Sequence, residues 1–378
     1  MKKNLEVKAY CDNPDDLRSR CQDTGAHLVR SDAQTDTYYF ASHGHLKLRQ
    51  SSSLGAQLIY YQRRSEPGAR ESTFSLMPLP GDGKQLDTIL TAALGQQIVI
   101  TKERTTFRLG PVLINLDQLP DLGAFVELEV EEESVQAPDT ALGVAERTMR
   151  MLGLALADTV PWSYSELAAM TAAARRHRDM LRHARPGTAF LIDGASGSGK
   201  TSLARRLLAR PELNLTFVPR HTTRAPRPNA TDSDYRFVTD AEFRKLASAG
   251  EFIEYRDFLF GMSYGLAWRP VLDVLLTGRH VLGIVDLGTA RHIKQVFPEA
   301  VTILVDCPPQ DIERRLRARG IHTDDQIQER LTNARAVAPL KRQYHHVLNN
   351  ADGRMDAAEE MVARLITEGV SPPSAASG

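Results

Sequence analysis

The sequence has few cysteines, no excess of charge and no long apolar run, and each of these absences narrows the class of protein. Its three cysteines, Cys11, Cys21 and Cys307, form no CxxC pair, which is typical of reduced thiols in a cytoplasmic protein. Lysine plus arginine equals aspartate plus glutamate at 47 each, so bulk charge indicates neither a nucleic-acid nor a membrane partner. No stretch approaches the ~20 apolar residues of a membrane span, and the first residues lack the apolar core of a signal peptide. We therefore expect a cytoplasmic protein without nucleic-acid or membrane partners. The sequence indicates no oligomeric state.

The length of 378 residues, with 42% apolar and 25% charged residues, predicts two or three folded domains. Residues 1–156 contain short strand-like runs and few helices. Residues 157–186 are helical, polar and basic, which favours a helical linker. Strands and helices alternate over residues 187–370, which predicts a parallel sheet flanked by helices, and residues 371–378 are expected to be disordered. The fold prediction is an α+β antiparallel β-barrel domain followed by an α/β domain.

The stretch LIDGASGSGKT at 191–201 predicts a phosphate-binding loop in the second domain. Gly194, Gly199, Lys200 and Thr201 fit the pattern GxxxxGK[ST], and the pattern follows a strand and opens a helix. The glycines let backbone N–H groups close around phosphate oxygens at the positive end of the helix. Lys200 is expected to neutralise the β- and γ-phosphates of ATP, and Thr201 to hold Mg²⁺.

A second group of residues predicts a site for another phosphate group. Arg224 and Arg227 stand three residues apart in a loop after a strand, and two guanidinium groups suit a phosphate dianion. Tyr235 and Tyr264 are candidate hydroxyl donors to the same phosphate.

On these motifs, and on IERRLRARG at 312–320, residues 188–370 resemble the guanylate kinase family. The resemblance implies an ATP-dependent phosphotransferase that uses Mg²⁺ and acts on a phosphorylated acceptor. By position, it assigns ATP binding to Gly194, Gly197, Gly199, Lys200, Thr201 and Ser202. It assigns the acceptor phosphate to Arg224, Arg227, Tyr235 and Tyr264, the acceptor base to Glu254, and a place near Mg²⁺ and the acceptor to Asp286. It assigns Arg315, Arg319 and Arg330 to the closing of the catalytic site on the ATP phosphates, beside Lys200.

Three positions depart from the guanylate kinase pattern. Arg220 replaces a serine, Leu266 replaces a second hydroxyl residue that reads the base, and Ile284 replaces an acidic residue. Loss of these groups is expected to weaken selectivity for guanine, and Arg220 is expected to favour a second anionic group on the acceptor. The R-x-x-T-R pattern and the LNN at 348–350 are similar to ribose 1,5-bisphosphate phosphokinases. The acceptor is thus either GMP or a phosphorylated sugar such as ribose 1,5-bisphosphate.

In the first domain, charged residues recur at a spacing of two within strand-like runs, as in Glu6/Lys8 and Lys47/Arg49. This spacing puts both members of a pair on one face of a strand. One interpretation is a sheet with one solvated face. The other is a closed barrel lined with bases, which would hold a polyphosphate, with acidic residues binding a divalent metal at one end.

This pattern resembles the CYTH family, the triphosphate-tunnel enzymes, over residues 1–156. The resemblance implies that triphosphate is bound by Lys8, Lys47, Arg49, Lys102 and Arg104 together with Arg63. It implies that Mg²⁺ or Mn²⁺ is bound by Glu6, Asp117, Glu127 and Glu129. Asn4 stands where the family has the first glutamate of its ExExK motif.

Three functional interpretations follow. In the first, the chain is an enzyme with two phosphate-handling domains, a kinase and a triphosphatase or adenylyl cyclase. In the second, the barrel without its first glutamate senses a polyphosphate and regulates the kinase. In the third, the kinase half is a degenerate binding module, against which the intact loop with Lys200 and Thr201 argues.

Overall fold

The structure is a computed structural model of the chain, and it describes residues 2–41, 43–63, 69–137, 139–155, 158–184, 186–226, 234–257, 262–286, 288–320, 323–335 and 337–369. Within these ranges the side chains at positions 63, 257, 329, 333 and 338 lie outside the description. The chain divides into two compact units, the first formed by Met1–Ala169 with Asp257–Leu259 and the second by Met170–Arg256 with Phe260–Gly378. In the described part of the chain no helix is long and apolar enough to cross a membrane.

The first unit contains eight strands and three helices among its described residues. The strands are β1 (Lys2–Tyr10), β2 (His27–Tyr39), β3 (His45–Ser51), β4 (Gly55–Arg63), β5 (Arg70–Pro78), β6 (Gln96–Leu109), β7 (Val112–Leu119) and β8 (Gly123–Glu131). The helices are α1 (Pro14–Asp23), α2 (Lys84–Leu94) and α3 (Ala141–Met151). The strands form a closed barrel in the order β1-β5-β4-β3-β2-β6-β7-β8, and β8 pairs with β1. Every pairing is antiparallel, so the predicted barrel is confirmed.

Alternation along the strands separates an apolar face of the barrel from a charged one. In β1, Leu5 and Val7 are buried in a core that also contains residues of α1 and α3, whereas Lys8 lines a cavity on the opposite face. The helices are fixed locally: Asn13 caps α1 by accepting the Asp16 backbone N–H at 3.1 Å. The charged face is therefore enclosed, and the interpretation of a sheet with one solvated face is wrong.

The second unit contains nine strands and seven whole helices among its described residues. The strands are β9 (Ala189–Asp193), β10 (Leu215–Phe217), β11 (Arg220–Thr222), β12 (Tyr235–Phe237), β13 (Phe252–Asp257), β14 (Ser263–Ala267), β15 (His280–Ile284), β16 (Val301–Asp306) and β17 (His346–Asn349). The helices are α5 (Lys200–Leu208), α6 (Asp240–Ser248), α7 (Trp268–Leu275), α8 (Ala290–Val296), α9 (Pro309–Arg319), α10 (Asp324–Arg335) and α11 (Met355–Thr367), and α4 (Tyr164–Arg182) precedes β9.

A five-stranded parallel sheet, in the order β10-β15-β9-β16-β17, forms the centre of the second unit. Successive residues of β9 point into two different apolar cores, Leu191 into one and Phe190 and Ile192 into the other. A strand buried on both faces is what a parallel sheet covered by helices requires, so the predicted α/β fold is confirmed. A smaller sheet, β12-β11-β14-β13, stands beside it.

The stretch predicted as a linker, 157–186, contains α4. Ala174 and Leu181 of α4 are buried in the same apolar core as Leu191 of β9. This part of the helix therefore packs as an element of the second unit. The predicted disordered tail, 371–378, lies outside the described residues.

Candidate functional site

The phosphate-binding loop, residues 194–201, joins the end of β9 to the start of α5. Gly197 and Gly199 have φ values of 87° and 96°, in the left-handed region that favours glycine. A Cβ on Gly199 would also collide with the side-chain amide of Asn350. The loop therefore requires glycine at this position for two separate reasons.

The Lys200 ammonium lies on the loop. It donates to the carbonyl oxygens of Gly194 at 2.8 Å and of Ala195 at 3.3 Å. Burial lowers the pKa of Lys200. An anion within the loop offers this ammonium a stronger partner than two neutral carbonyls.

Two of the three predicted lid arginines contact the loop. Arg315 donates to the carbonyl oxygens of Gly197 at 3.4 Å and Ser198 at 3.3 Å. Arg330 donates to the Ser196 hydroxyl at 2.7 Å. Arg319 is exposed and lines the cavity in front of the loop. The structure thus brings all three arginines to the loop or its cavity, although their role in catalysis stays a prediction.

This cavity, of about 280 Å³, connects the loop with the predicted acceptor residues. Arg220 of β11, Tyr235 of β12 and Asp286 after β15 line it opposite the loop. Thr201 and Asp286 bring hydroxyl and carboxylate oxygens to the same cavity. Such oxygens are the ligands that Mg²⁺ prefers, so these two residues fit the predicted metal.

Arg220 forms a buried ion-pair cluster with two carboxylates. Its Nη1 and Nη2 donate to the two oxygens of Asp286 at 2.9 and 2.7 Å, and Nη2 also donates to Glu254 Oε1 at 2.8 Å. Burial alone would lower the pKa of Arg220, but the carboxylates of Asp286 and Glu254 outweigh it and raise that pKa. Burial raises the pKa of Glu254 to about 7, although Arg220 opposes the change. Two carboxylates thus already pair with Arg220, so an anionic group on the acceptor would have to compete with them. The expectation that Arg220 favours such a group stays a prediction.

The structure describes three of the four residues predicted to bind the acceptor phosphate. The Arg224 guanidinium lies 5.3 Å from the centre of the Tyr235 ring, and the Tyr235 and Tyr264 rings are 5.6 Å apart, edge to face. Arg227 lies outside the described residues. Leu266 is fully buried, and Ile284 lines the cavity.

Sequence reasoning missed two residues of this site. Arg256 is 4% exposed, and burial lowers its pKa against the opposing influence of Asp286 and Glu254. Its spacing of two from Glu254 on β13 was an available signal. Asp193 accepts the Gly194 backbone N–H at 2.6 Å and the Tyr344 hydroxyl, and burial raises its pKa to about 6. No sequence pattern pairs Asp193 with a tyrosine 151 residues further along the chain.

The barrel of the first unit encloses a second candidate site. Five of the six predicted triphosphate-binding bases line a cavity of about 130 Å³: Lys8 of β1, Lys47 and Arg49 of β3, and Lys102 and Arg104 of β6. The side chain of the sixth, Arg63, lies outside the described residues. Asn4 lines the same cavity and is 6% exposed.

Carboxylates on neighbouring strands stand directly opposite these bases. Asp117 is the register partner of Arg104, which donates to it at 2.6 and 2.5 Å, and Lys102 donates to it at 3.2 Å. Burial would raise the pKa of Asp117, but Arg104 and Lys102 outweigh it and lower that pKa. Glu127 is the register partner of Lys8, at 3.3 Å, and also accepts from Arg104 at 2.7 Å. The barrel interior is therefore a set of cross-strand ion pairs.

The predicted metal ligands of the barrel are occupied in other ways. Glu129 accepts from Asn115 at 2.9 Å, and its register partner is Glu6. Burial and the nearby Glu127 raise the pKa of Glu129. Among the residues that the structure describes, no three His, Cys, Asp or Glu side chains are placed to hold one metal ion. Asp117 and Glu127 pair with the bases, so a metal would have to displace these contacts, and the metal-binding role of the four carboxylates stays a prediction.

Two further residues of the barrel site were not predicted. Asp36 binds Lys47 at 2.8 Å and Arg49 at 2.7 Å. Tyr164 donates to Asp117 at 2.8 Å, and its ring centre lies 3.5 Å from the Lys8 ammonium. Tyr164 begins α4, so it lies beyond the strands that the sequence argument used.

Comparisons with known proteins match each half of the chain to a family. A model of the guanylate kinase family matches residues 187–368, and one of the CYTH domain matches residues 2–164. Guanylate kinase of Nocardia farcinica is 37% identical over 192 residues, which are 50% of this chain and 98% of that protein. Guanylate kinase of Aromatoleum aromaticum is 37% identical over 182 residues, 47% of this chain and 87% of that protein.

Two solved structures also match. The PH1012 protein of Pyrococcus horikoshii covers 43% of this chain and 96% of its own, with 21% identity and a TM-score of 0.38. Guanylate kinase of Anaplasma phagocytophilum covers 49% of this chain and 86% of its own, with 24% identity and a TM-score of 0.36. From the family matches and the sequence relatives, the chain belongs to the guanylate kinase family through its second half and carries a CYTH domain in its first half.

Proposed function

We propose that the second unit transfers the γ-phosphoryl group of ATP to GMP. The observation that carries this proposal is the single cavity that joins the phosphate-binding loop to Arg220, Tyr235 and Asp286. Its walls are suited to two phosphorylated substrates placed end to end. Guanylate kinases that are 37% identical and matched over 98% and 87% of their lengths make GMP the favoured acceptor.

The chemistry requires positioning and charge stabilisation but no nucleophile from the protein. The loop amides and Lys200 hold the ATP phosphates, and Arg315 and Arg330 contact the same loop. Thr201 and Asp286 are the residues that would hold Mg²⁺, which neutralises phosphate oxygens when bound with the nucleotide. Tyr235 and Arg224 lie where the acceptor phosphate is expected.

The test is GDP formation by the full chain, separated chromatographically so that ATP cleavage elsewhere does not contribute. GMP, other nucleoside monophosphates and ribose 1,5-bisphosphate are compared as acceptors. Lys200→Ala should abolish transfer because the ATP phosphates lose their cation. A wild-type chain that phosphorylates ribose 1,5-bisphosphate but not GMP would contradict the proposal. A chain whose thermal stability ATP does not raise would indicate a degenerate binding module.

For the first unit we propose binding of a triphosphate in the barrel. Five basic side chains from three strands converge on one enclosed cavity, and Tyr164 places its ring beside Lys8 there. Cleavage of the triphosphate requires more than binding. A divalent metal would have to displace the carboxylates from the bases with which they are now paired.

One experiment distinguishes binding of the triphosphate from its cleavage. It uses the full chain carrying Lys200→Ala, which abolishes the kinase activity. Tripolyphosphate binding is measured by calorimetry, and phosphate release with Mg²⁺ or Mn²⁺ is measured in parallel. Binding with release supports a triphosphatase, and binding without release supports a polyphosphate sensor. The absence of both would overturn the proposal for this unit.

A further inference from the structure

The hydroxyl group of Tyr344 joins two loops of the second unit. It donates to the carboxylate of Asp193, which ends β9, and it accepts the Gly288 backbone N–H at 3.2 Å. Asp193 in turn accepts the backbone N–H of Gly194, the first residue of the phosphate-binding loop, at 2.6 Å. This series of hydrogen bonds therefore runs from the phosphate-binding loop to the loop after β15, which carries Asp286.

Burial and charge strengthen the contact between Tyr344 and Asp193. Asp193 has no exposed surface, and Tyr344 is 6% exposed. Burial and the adjacent Asp193 carboxylate raise the pKa of Tyr344, so its hydroxyl stays protonated and donates. Burial raises the pKa of Asp193 to about 6, so this carboxylate is ionised at about pH 8. Hydrogen bonds to an ionised acceptor are stronger than those between neutral groups.

Strand pairing does not by itself fix the two loops relative to each other. β9 and β15 are parallel neighbours whose register ends at Ile192 and Ile284. Asp193 and Gly288 lie beyond these residues, where Tyr344 connects them. Tyr344 comes from a third part of the chain, since it lies just before β17, and β16 separates β17 from β9 in the sheet.

The two connected loops carry groups for opposite sides of the kinase cavity. Lys200 belongs to the phosphate-binding loop and donates to the Gly194 carbonyl at 2.8 Å, so Gly194 is held through both of its backbone groups. Asp286 lines the same cavity opposite that loop. Tyr344 and Asp193 are not among the described residues that line the cavity. Any influence of Tyr344 on the reaction must therefore pass through the loops that it connects.

We infer that Tyr344 is a positioning residue for phosphoryl transfer, whose hydroxyl holds the ATP-binding loop and the Asp286 loop in one fixed arrangement. This inference rests on the proposed transfer from ATP to GMP. Phosphoryl transfer places the attacking oxygen, the phosphorus and the leaving oxygen roughly in line, so it depends on how the two substrates are aligned. A misplacement of about 1 Å can cost about 100-fold in rate.

Tyr344→Phe in the full chain tests the inference, because it removes the hydroxyl and keeps the ring. GDP formation is measured at about pH 8, where Asp193 is ionised. The kcat should fall by about tenfold or more, whereas the KM values for ATP and GMP should change by less than about threefold. The reason is that the groups expected to bind each substrate remain in place and only their alignment changes.

A loss of folded protein has to be distinguished from a loss of alignment. The kcat is therefore expressed per GMP-binding site, and calorimetric titration with GMP counts these sites. GMP is the suitable ligand because the barrel is proposed to bind triphosphates. A variant that is merely less stable would have fewer sites and a lower melting temperature, but its kcat per site would equal that of wild type. That result would overturn the inference and leave GMP phosphorylation in place.

Tyr39→Phe is the matched control. Tyr39 is 2% exposed, and its hydroxyl donates to the Asp87 carboxylate at 2.5 Å. The substitution thus removes the same kind of buried tyrosine–carboxylate hydrogen bond from the first unit. It should leave the kcat per site and both KM values of GDP formation unchanged. A fall in kcat equal to that of Tyr344→Phe would show a general effect of lost stability and would overturn the inference.

A double-mutant cycle with Asp193→Ala tests whether the Tyr344 hydroxyl acts through this carboxylate. Asp193→Ala breaks the bridge at its other end, so Tyr344→Phe should lower kcat no further in that background. A full additional loss would assign the effect to a different contact and overturn the inference. A wild type that forms no GDP from GMP would overturn the proposed function and this inference with it.

Discussion

Asp36 on β2 is the register partner of Arg49 on β3, and its carboxylate accepts hydrogen bonds from Arg49 Nε at 2.7 Å and Nη2 at 2.8 Å. The same carboxylate accepts from Lys47 at 2.8 Å. Arg104 and Asp117 repeat the relationship across β6 and β7. The bases of the barrel are thus neutralised before any ligand arrives, and a polyanion must compete with these carboxylates.

Asp36→Asn should therefore tighten tripolyphosphate binding while it destabilises the first unit. Asp36 is 1% exposed, and removal of one partner of a buried ion pair typically costs about 3–5 kcal/mol. Calorimetric unfolding with and without tripolyphosphate measures both effects. The control is Asp139→Asn, whose pair with Arg147 is about half exposed and should contribute little to stability. Weaker tripolyphosphate binding by a folded Asp36→Asn chain would show that Asp36 does not compete with the polyanion for Lys47 and Arg49.

Binding of tripolyphosphate should weaken as the pH rises above about 7. Burial, with the neighbouring Arg49, lowers the pKa of Lys47 to about 7. Lys47 is charged below this pH and neutral above it, and the anion favours the charged form. The affinity should fall by up to about tenfold per pH unit above that point. Lys47→Arg stays charged throughout and should show a flatter profile between pH 7 and 9 by calorimetry. An equally steep profile in that variant would assign the titration to another group.

The architecture of the barrel could be predicted because its signal is local. A spacing of two between charges, as in Lys47 and Arg49, fixes which residues share a face of a strand, whatever the partner strand is. The neutralisation of those bases could not be predicted, since it depends on the register that sets Asp36 against Arg49. Register depends on the geometry of the turn between two strands and on which face is buried, and a spacing of two within one strand does not specify it.

The same limit explains the acceptor site. The phosphate-binding loop was predictable because its glycines, Lys200 and Thr201 are contiguous. The pairing of Arg220 could not be predicted, because Glu254 and Asp286 come from β13 and from the loop after β15, 34 and 66 residues further along the chain. The sequence identifies each of the three residues separately, but not their contact.

Titration of Asp193 should by itself lower the stability of the second unit as the pH rises from about 4 to about 6. Burial lowers the pKa values of His221, His292 and His345, so these three histidines act in the opposite direction. Burial raises the pKa of Asp193 to about 6, above its unfolded value of about 3.9. Between these values the folded state binds the proton more strongly than the unfolded state, so a rise in pH favours unfolding. The expected loss is about 2–3 kcal/mol.

Asp193→Asn removes this titration, so the free energy of unfolding of wild type minus that of the variant should fall by about 2–3 kcal/mol between pH 4 and pH 6. Unfolding is followed by the fluorescence of Trp268 in a Trp162→Phe background, since the chain has two tryptophans and each unit contains one. Asp273→Asn is the control, because this carboxylate is 57% exposed on α7. A difference between wild type and Asp193→Asn that stays constant from pH 4 to pH 6 would refute the assignment.

Gly199→Ala should abolish ATP binding, whereas Gly353→Ala should leave it intact. Both glycines have positive φ, 96° and 78°, so alanine at either position is strained by about 1–2 kcal/mol. They differ in their surroundings. A Cβ at Gly353 meets nothing within 4 Å, whereas a Cβ at Gly199 meets the Asn350 amide that donates to the Ser198 carbonyl at 2.7 Å.

Relief of that collision has to move the loop, because Asn350 is fully buried and Arg315 also holds its backbone carbonyl at 3.0 Å. The backbone N–H groups of the loop and the Lys200 ammonium would then no longer converge on the ATP phosphates. The measurement is the ATP-induced rise in melting temperature, with the melting temperature without ATP as the reference for strain. Similar losses without ATP in both variants, together with an ATP-induced rise in Gly353→Ala alone, would separate loop geometry from backbone strain. Retention of that rise in Gly199→Ala would show that the loop tolerates displacement and that its glycine serves only the backbone conformation.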